Sequence, residues 1–487
     1  MPRAFTAPRP DSYAPLPPPL RRRDYPGELP PGPGLTVPGV TLAKFLADTP
    51  AFLLDLHRRY GDAVSFSLNG QLFLGMFAPE MVDTVLVRAT RSFAKGVGFD
   101  RMRKVLGEGL LTNEEPIHLR HRRMMHAPFH RERLDGYAGT MARSTTDELD
   151  RWHDGTVIPV GPRMMALTLD IVARTLFGTD AREHSARIAH SMEIAIDRIE
   201  RTMLPGLDRL DRLPLPWFRA FPRAADDLAE VAEQLIAERH AAGRAGAAGT
   251  DPERYDPRTD DLLGLLLALR DDDGSGLTDD EVRDEVLTLI LSGHETTANV
   301  LTWAAAYLAT APEVRAALED EADAQAWLDE DRAPTLEEAL AAPVAGMVLN
   351  ETMRLAPPVW VAPRRALEDV EVGGVAVPAG AHVLVSQYVT HRDPRWFPDP
   401  ERFDPCRWLQ RPERDLPKGA YVPFGGGNRR CLGEQFALLE SRIILLAIAR
   451  RLRLEPVDAR RPVPPAQPRA TYRPRGVVPM RVRHRSR

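Results

Sequence analysis

Phe424-Gly425-Gly426-Gly427-Asn428-Arg429-Arg430-Cys431-Leu432-Gly433 stands directly before an apolar run that begins at Glu434 and reads as a helix to Leu452. A cysteine just ahead of a helix start meets unpaired amides and the positive end of the helix dipole. Arg429 and Arg430 add charge of the same sign, so the thiolate is expected over the thiol. Soft anionic sulfur is a good ligand for iron. Glycines 425–427 and 433 let the backbone pass close to a flat macrocycle, and Arg429 can neutralise a carboxylate on its edge. A buried structural cysteine in a glycine-rich turn is the alternative for a lone residue. Here the whole pattern Phe-x-x-Gly-x-Arg-x-Cys-x-Gly is present. Cys406, the only other cysteine, sits in Phe403-Asp404-Pro405-Cys406-Arg407-Trp408 without glycine neighbours or a helix start, and reads as a non-ligand.

Outward from this loop the chain is a balanced globular sequence. Its 487 residues carry 64 basic and 69 acidic side chains, a formal charge of −5, which does not suggest a polybasic nucleic-acid binder. With 43% hydrophobic and 27% charged residues it can bury a large core. Two cysteines cannot form a disulfide framework, so a reducing cytoplasm is expected. No run approaches the roughly 18 apolar residues needed to cross a bilayer. The first 34 residues, with Pro17-Pro18-Pro19 and Pro30-Pro31, read as an extended, partly disordered arm, and residues 35–487 as one domain.

The expected elements are mostly helices. Val64 to Leu68 and Leu72 to Phe77 flank Asn69-Gly70, a tight hairpin signal. From about Met141 to Met347 apolar residues recur at helical spacing, as in Met164 to Leu176, Ile188 to Met203 and Leu228 to Ala242. Strands return at Val370 to Val372, Val375 to Val377 and His382 to Val385. The fold class is therefore mainly α with minor β-sheets. No phosphate-binding loop and no spare flavin or nicotinamide domain are evident, so any redox partner must come from another chain.

The cysteine segment resembles the haem-binding loop of the cytochrome P-450 superfamily, whose cysteine thiolate is the proximal iron ligand. The resemblance covers the chain from about Leu35 onward and implies the single haem-enclosing fold of that family, with haem b as cofactor. It assigns the metal to Cys431 and the loop contacts to Phe424, Gly427, Arg429 and Gly433. His118 and Arg122, four apart on one helix face, resemble the family's propionate-binding helix. The resemblance also implies a propionate contact for Arg364 rather than Arg365, since Arg364 stands five residues before Asp369 as in the family's Arg-x-x-x-x-Asp pattern. Glu351 and Arg354 match the Glu-x-x-Arg pair, and Arg402 in Pro400-Glu401-Arg402-Phe403 is expected to complete that structural triad.

In the long apolar helix expected from about Asp284 to Ala311, Ser292-Gly293-His294-Glu295-Thr296-Thr297 is a polar interruption. It is similar to the family's oxygen-activation motif, in which the helix opens at Gly293 and an acid, Glu295, and an alcohol, Thr296, relay protons. A threonine bonding back to a carbonyl one turn earlier is the plainer alternative. By analogy the substrate pocket is lined by Val97, Phe99, Met102, Ile290, Leu291, Val359, Trp360 and Val361, with Met192, Ile196, Ile199, Met203 and Leu207 as a roof or as core. An apolar lining selects a lipophilic substrate such as a terpenoid, carotenoid, fatty acid or polyketide.

The implied activity is insertion of one oxygen atom from O2, as a hydroxylation or epoxidation. A peroxide-driven or isomerising enzyme and a non-catalytic haem-thiolate sensor are the alternatives. Arg120, Arg123, Arg407, Arg430 and Lys418 would form either a basic face that steers an acidic ferredoxin or flavodoxin or a scattered solvated surface.

Overall fold

A helix of 30 residues, Asp279–Leu308, runs through the largest apolar cluster and organises everything that touches the site. Its start is set by a capping box: the Thr278 hydroxyl accepts from the Glu281 amide, and the Glu281 carboxylate accepts from the Thr278 amide. Asp279, Asp280 and Glu281 place negative charge in its first turn, where the dipole favours it. At ~1.5 Å rise per residue this central helix spans about 45 Å. Helices Val160–Phe177, Pro343–Leu355 and Glu434–Arg451 pack along it. The structure is a computed structural model that describes residues 13, 15–34, 40–96, 98–177, 191, 194, 216–246, 262–271, 274–328 and 332–485. Val97 and the roof residues Met192, Ile196, Ile199, Met203 and Leu207 lie outside the described residues.

Twelve short strands make four sheets among the described residues. The largest has the order β1 (Ala63–Leu68), β2 (Gln71–Met76), β8 (His382–Val385), β5 (Ala362–Ala366), β3 (Phe93–Lys95). All its neighbours are antiparallel except β2 and β8. The β1–β2 hairpin turns at Asn69 and Gly70, with φ of 51° and 79°, the left-handed geometry that a tight hairpin requires. Strands β4 (Val157–Pro159), β12 (Pro479–His484) and β9 (Leu452–Pro456) form a second sheet, and β6 (Val370–Val372) with β7 (Val375–Val377) and β10 (Ala466–Pro468) with β11 (Tyr472–Pro474) form two hairpins. The expected α-rich body with minor sheets is what the chain adopts. No helix among the described residues is long and apolar enough to cross a membrane.

Of the proline-rich arm, the structure describes residues 13 and 15–34. Residues 15–34 run along the five-stranded sheet and exchange backbone hydrogen bonds with it, through Leu20 and Pro31. Proline lowers the entropy an extended segment must lose on docking, which suits such a packed strap.

Candidate functional site

A cavity of about 360 Å³ lies between the central helix and the cysteine loop. The loop closes on itself: the Cys431 amide donates to the Phe424 carbonyl (2.9 Å), the Arg430 amide to Gly427 (3.1 Å) and the Gly425 amide to Val422 (3.0 Å). Cys431, Phe424, Gly425, Gly426, Arg429 and Gly433 face the cavity. A Cβ at Gly425 or Gly433 would meet no atom closer than 3.8 Å, so the backbone there borders open space into which any side chain would project. Gly427 does not line the cavity. Its φ of 66° and the Leu86 carbonyl, 2.4 Å from where a Cβ would stand, require glycine for the loop's own packing.

Cys431 stands just before helix Glu434–Arg451, and its accessible surface belongs to the cavity. Burial pushes its thiol up to about 11, against the expectation of a lowered value. The Gly433 amide, Arg122 and Arg430 act in the expected direction, but loss of water outweighs them and Glu434 opposes them. A cation at the sulfur is what would make the thiolate the stable form. Cys406 is likewise a free thiol and is absent from the cavity wall.

Around the cavity, from the loop itself and from the elements beside it, positive charge collects. Arg429 is paired with Glu114 (2.5 Å), while its Nε and Nη1 are buried without an acceptor. Arg364 is buried, and among the described residues its side chain donates only to the adjacent Pro363 carbonyl (3.0 Å). Burial and the neighbouring Arg429 push its guanidinium down to about 10. His118 is buried beside Glu115 (3.2 Å), and burial lowers its basicity. Arg122 donates to the Arg430 carbonyl (2.7 Å) and borders the cavity.

Sequence reasoning missed Lys95. It is a cavity residue whose Nζ donates to the Leu110 (3.0 Å) and Asn113 (2.5 Å) carbonyls, and burial with Arg429 lowers its pKa strongly. Lys95, Arg364 and Arg429 outnumber the nearby carboxylates Glu114 and Glu115, and Glu115 is already engaged by His118, Asn428 and the Leu119 amide. Buried cations with unpaired donors call for anions. A flat macrocycle carrying two carboxylates fits these donors, and a sulfur on the same cavity fits its iron. Arg365 instead turns away and donates to the Pro17 carbonyl of the arm.

The central helix presents Thr288, Leu289, Ser292, Gly293, Thr296 and Val300 to the cavity, one face at three- and four-residue spacing. Ile290 and Leu291, expected as lining, are on other faces and pack in the core. The helix is continuous across Gly293 and does not open. The Thr296 hydroxyl donates to the Ser292 carbonyl (2.9 Å), the plain back-bond. Glu295 is buried and does not line the cavity: its carboxylate accepts from the Thr471 hydroxyl (2.5 Å), to which Asn299 also donates (3.1 Å). His294 binds the Ile290 carbonyl (2.6 Å), a packing role. Glu440, another residue the sequence reading missed, is fully buried on the cysteine helix with Thr297 beside it. Burial raises the pKa of its carboxyl well above the usual range.

Of the other expected lining residues, Phe99, Val359 and Val361 face the cavity. Met102 packs on the core instead. Trp360 alternates away from its neighbours, as extended chain must, and its Nε1 donates to the Arg469 carbonyl (2.8 Å).

The Glu351–Arg354 pair is fully buried, with two 2.9 Å hydrogen bonds. Its third member is Arg407, whose Nε donates to Glu351 (2.9 Å), and Trp408 Nε1 donates to the other oxygen (3.1 Å). Arg402 is exposed and contributes only its carbonyl, to Arg354 (3.1 Å), which corrects its assignment. Arg407 was expected on a docking face. Of the rest of that set, Arg120 pairs with Glu281, Arg123 with Asp271 and Arg430 with Glu434, leaving Lys418 exposed and, among the described residues, without an ion pair.

Residues 30–477 match the family described as Cytochrome P450. The chain is 35% identical over 438 residues to cyclooctatin synthase of Streptomyces melanosporofaciens, covering 90% of each chain. It is 36% identical over 416 residues to cyclooctat-9-en-7-ol 5-monooxygenase of the same organism, covering 85% of each. The crystal structure of the cytochrome P450DA heme domain superposes with a TM-score of 0.81 at 26% identity, covering 94% of this chain and 98% of that one.

Proposed function

From the premise that the chain belongs to the cytochrome P450 family and is a haem-dependent monooxygenase of it, we propose that it oxygenates a terpenoid, with Cys431 as iron ligand. Haem, once bound through a thiolate sulfur, supplies the activation of O2. Everything else is the work of the chain. Arg429, Arg364, Lys95, His118 and Arg122 would hold the two propionates by charge-assisted hydrogen bonds. Phe424 supplies an apolar wall beside Cys431, and Gly425 and Gly433 leave room for a flat group to approach the sulfur.

On the other side, Thr296 places a hydroxyl in an otherwise apolar wall. Its back-bond to Ser292 is a weak local attachment, so the hydroxyl is free to exchange that acceptor for a cavity oxygen and hold a proton there. Glu295 secures the same turn through Thr471 and Asn299, and its part in the relay is indirect. Phe99, Leu289, Val359 and Val361 supply apolar contact without charge, which favours a lipophilic substrate. The relatives that support a terpenoid include one named for oxidising cyclooctat-9-en-7-ol. The electron donor is a separate ferredoxin or flavodoxin with its reductase, and the chain works in the cytoplasm, a reading supported by two unpaired thiols.

The single observation that carries this reading is the meeting of Cys431, unpaired buried cations and Thr296 around one apolar cavity. Titrating the haem-loaded protein with terpene hydrocarbons and alcohols, fatty acids and macrolides tests the substrate class. A low-to-high-spin shift confined to the terpenoids, with O2-dependent product, is expected. A shift with fatty acids alone would overturn it.

A further inference from the structure

We propose that Tyr13 is a positioning residue for the substrate wall, held in place by a strap that crosses the five-stranded sheet in strand order. On β1, the Pro30 and Pro31 carbonyls accept from the Ser65 hydroxyl (2.6 Å) and amide (2.9 Å). On β2, the Leu20 carbonyl accepts from the Leu72 amide (2.8 Å). At the turn into β8, the Leu20 amide donates to the Gly380 carbonyl (3.1 Å), and on β5 Arg365 donates to the Pro17 carbonyl. Gly380 permits the crossing: a Cβ there would stand 2.1 Å from the Pro18 carbonyl oxygen. Past the sheet edge the strap reaches helix Phe99–Leu106.

Tyr13 is buried at this end. Its hydroxyl donates to Glu108, and its ring centroid is 5.5 Å from the Arg103 guanidinium. Arg103, buried in turn, holds Asp100 (2.8 Å), the Thr112 carbonyl (2.8 Å) and Glu108 (2.8 Å). Tyr13 therefore closes a cluster that ties residues 99–106 to residues 107–113. Those two stretches give Phe99, Leu110 and Leu111 to the cavity. A helix of eight residues bounded by Gly98 and Gly107, both at positive φ, has little stability of its own and takes its position from such contacts. The strap thereby sets the width of the cavity at Phe99 and with it the size of substrate accepted.

The specificity consequence rests on reading the cavity as the substrate site; the mechanical one does not. Amide hydrogen exchange on the full-length haem-loaded protein separates them. Tyr13→Ala is expected to speed exchange across residues 99–113 by at least about tenfold, the scale of one lost charge-assisted hydrogen bond, with helix Glu434–Arg451 unchanged. Tyr13→Phe, which keeps the ring and loses the hydroxyl, falls between. Unchanged exchange over 99–113, or acceleration spread evenly along the chain, overturns the strap. Spin-shift affinities for a monoterpene and for a tricyclic diterpene alcohol then read specificity. Tyr13→Ala should change their ratio at least about threefold while overall unfolding stays put. A constant ratio alongside faster exchange overturns the role in substrate choice. Absence of any spin shift in the wild type defeats the terpenoid reading and leaves the exchange result standing.

Discussion

Two clusters of buried charge, one around Glu351 and one around Arg429, are built on opposite principles. Around Glu351 every charge is answered: Arg354 binds both carboxylate oxygens and the His391, Pro400 and Arg402 carbonyls, and Arg407, Trp408 and the Asp404 amide complete the shell. Around Arg429, cations exceed carboxylates, two guanidinium nitrogens have no acceptor, and Arg364 and Lys95 are pushed towards neutrality. A closed cluster is a clamp that holds residues 398–408 against helix Pro343–Leu355. An open one is suited to receive charge from outside the chain, which under the proposed function is that of the haem carboxylates.

The largest effect that would separate the two comes from Glu351→Leu. It leaves Arg354 and Arg407 buried without a carboxylate and should cost about 3–5 kcal/mol in denaturant unfolding. A loss near zero would break the contrast. Within the clamp, Arg407→Met should destabilise by about 2 kcal/mol while Arg402→Met stays within about 0.5, since only the former touches the carboxylate. Equal effects would restore Arg402 to the triad.

In the open cluster, Arg364→Met should speed haem transfer to an acceptor globin by at least about tenfold. The haem-free chain should lose no unfolding free energy, because the substitution removes an ill-solvated cation. Destabilisation of the haem-free chain would show the cluster to be closed after all.

A third cluster titrates. His121, buried against Glu285 (2.7 Å) and Glu281 (3.2 Å), with Arg120 also on Glu281, is raised to about 9 by hydrogen bonds and charge that outweigh its burial. Its ordinary value lies near 6.5, so its stabilisation is complete below that pH and fades as pH rises through about 9. Wild type should lose stability over this window by at most about 1.4 kcal/mol per pH unit, more steeply than His121→Gln. Parallel curves would remove His121 from the account.

Much of this was legible in the sequence because short-range rules decide it. The Asn69-Gly70 hairpin, the helix after Gly433 and the cysteine loop all follow from local residue types. Thr296 reached the cavity because the helical period fixes faces once the helix is known. What failed was what depends on distant packing. Ile290 and Leu291 were apolar at plausible positions, but the helix turned a neighbouring face to the cavity. Arg402 and Arg407 are five residues apart in an irregular segment, and no periodicity says which reaches Glu351. Lys95 gave no signal, since a lone lysine beside a strand ordinarily points to solvent. The expected drop in Cys431 acidity failed because sequence shows nearby cations and conceals lost water.

The central claim is that Cys431, and not Cys406, carries the iron beside an open cationic rim. Dithionite reduction under carbon monoxide tests it most directly on wild type, Cys406→Ala and Cys431→Ala. The account predicts the strongly red-shifted Soret band of thiolate-bound haem in the first two and its loss in the third. The same band surviving in Cys431→Ala, or vanishing in Cys406→Ala, would contradict it.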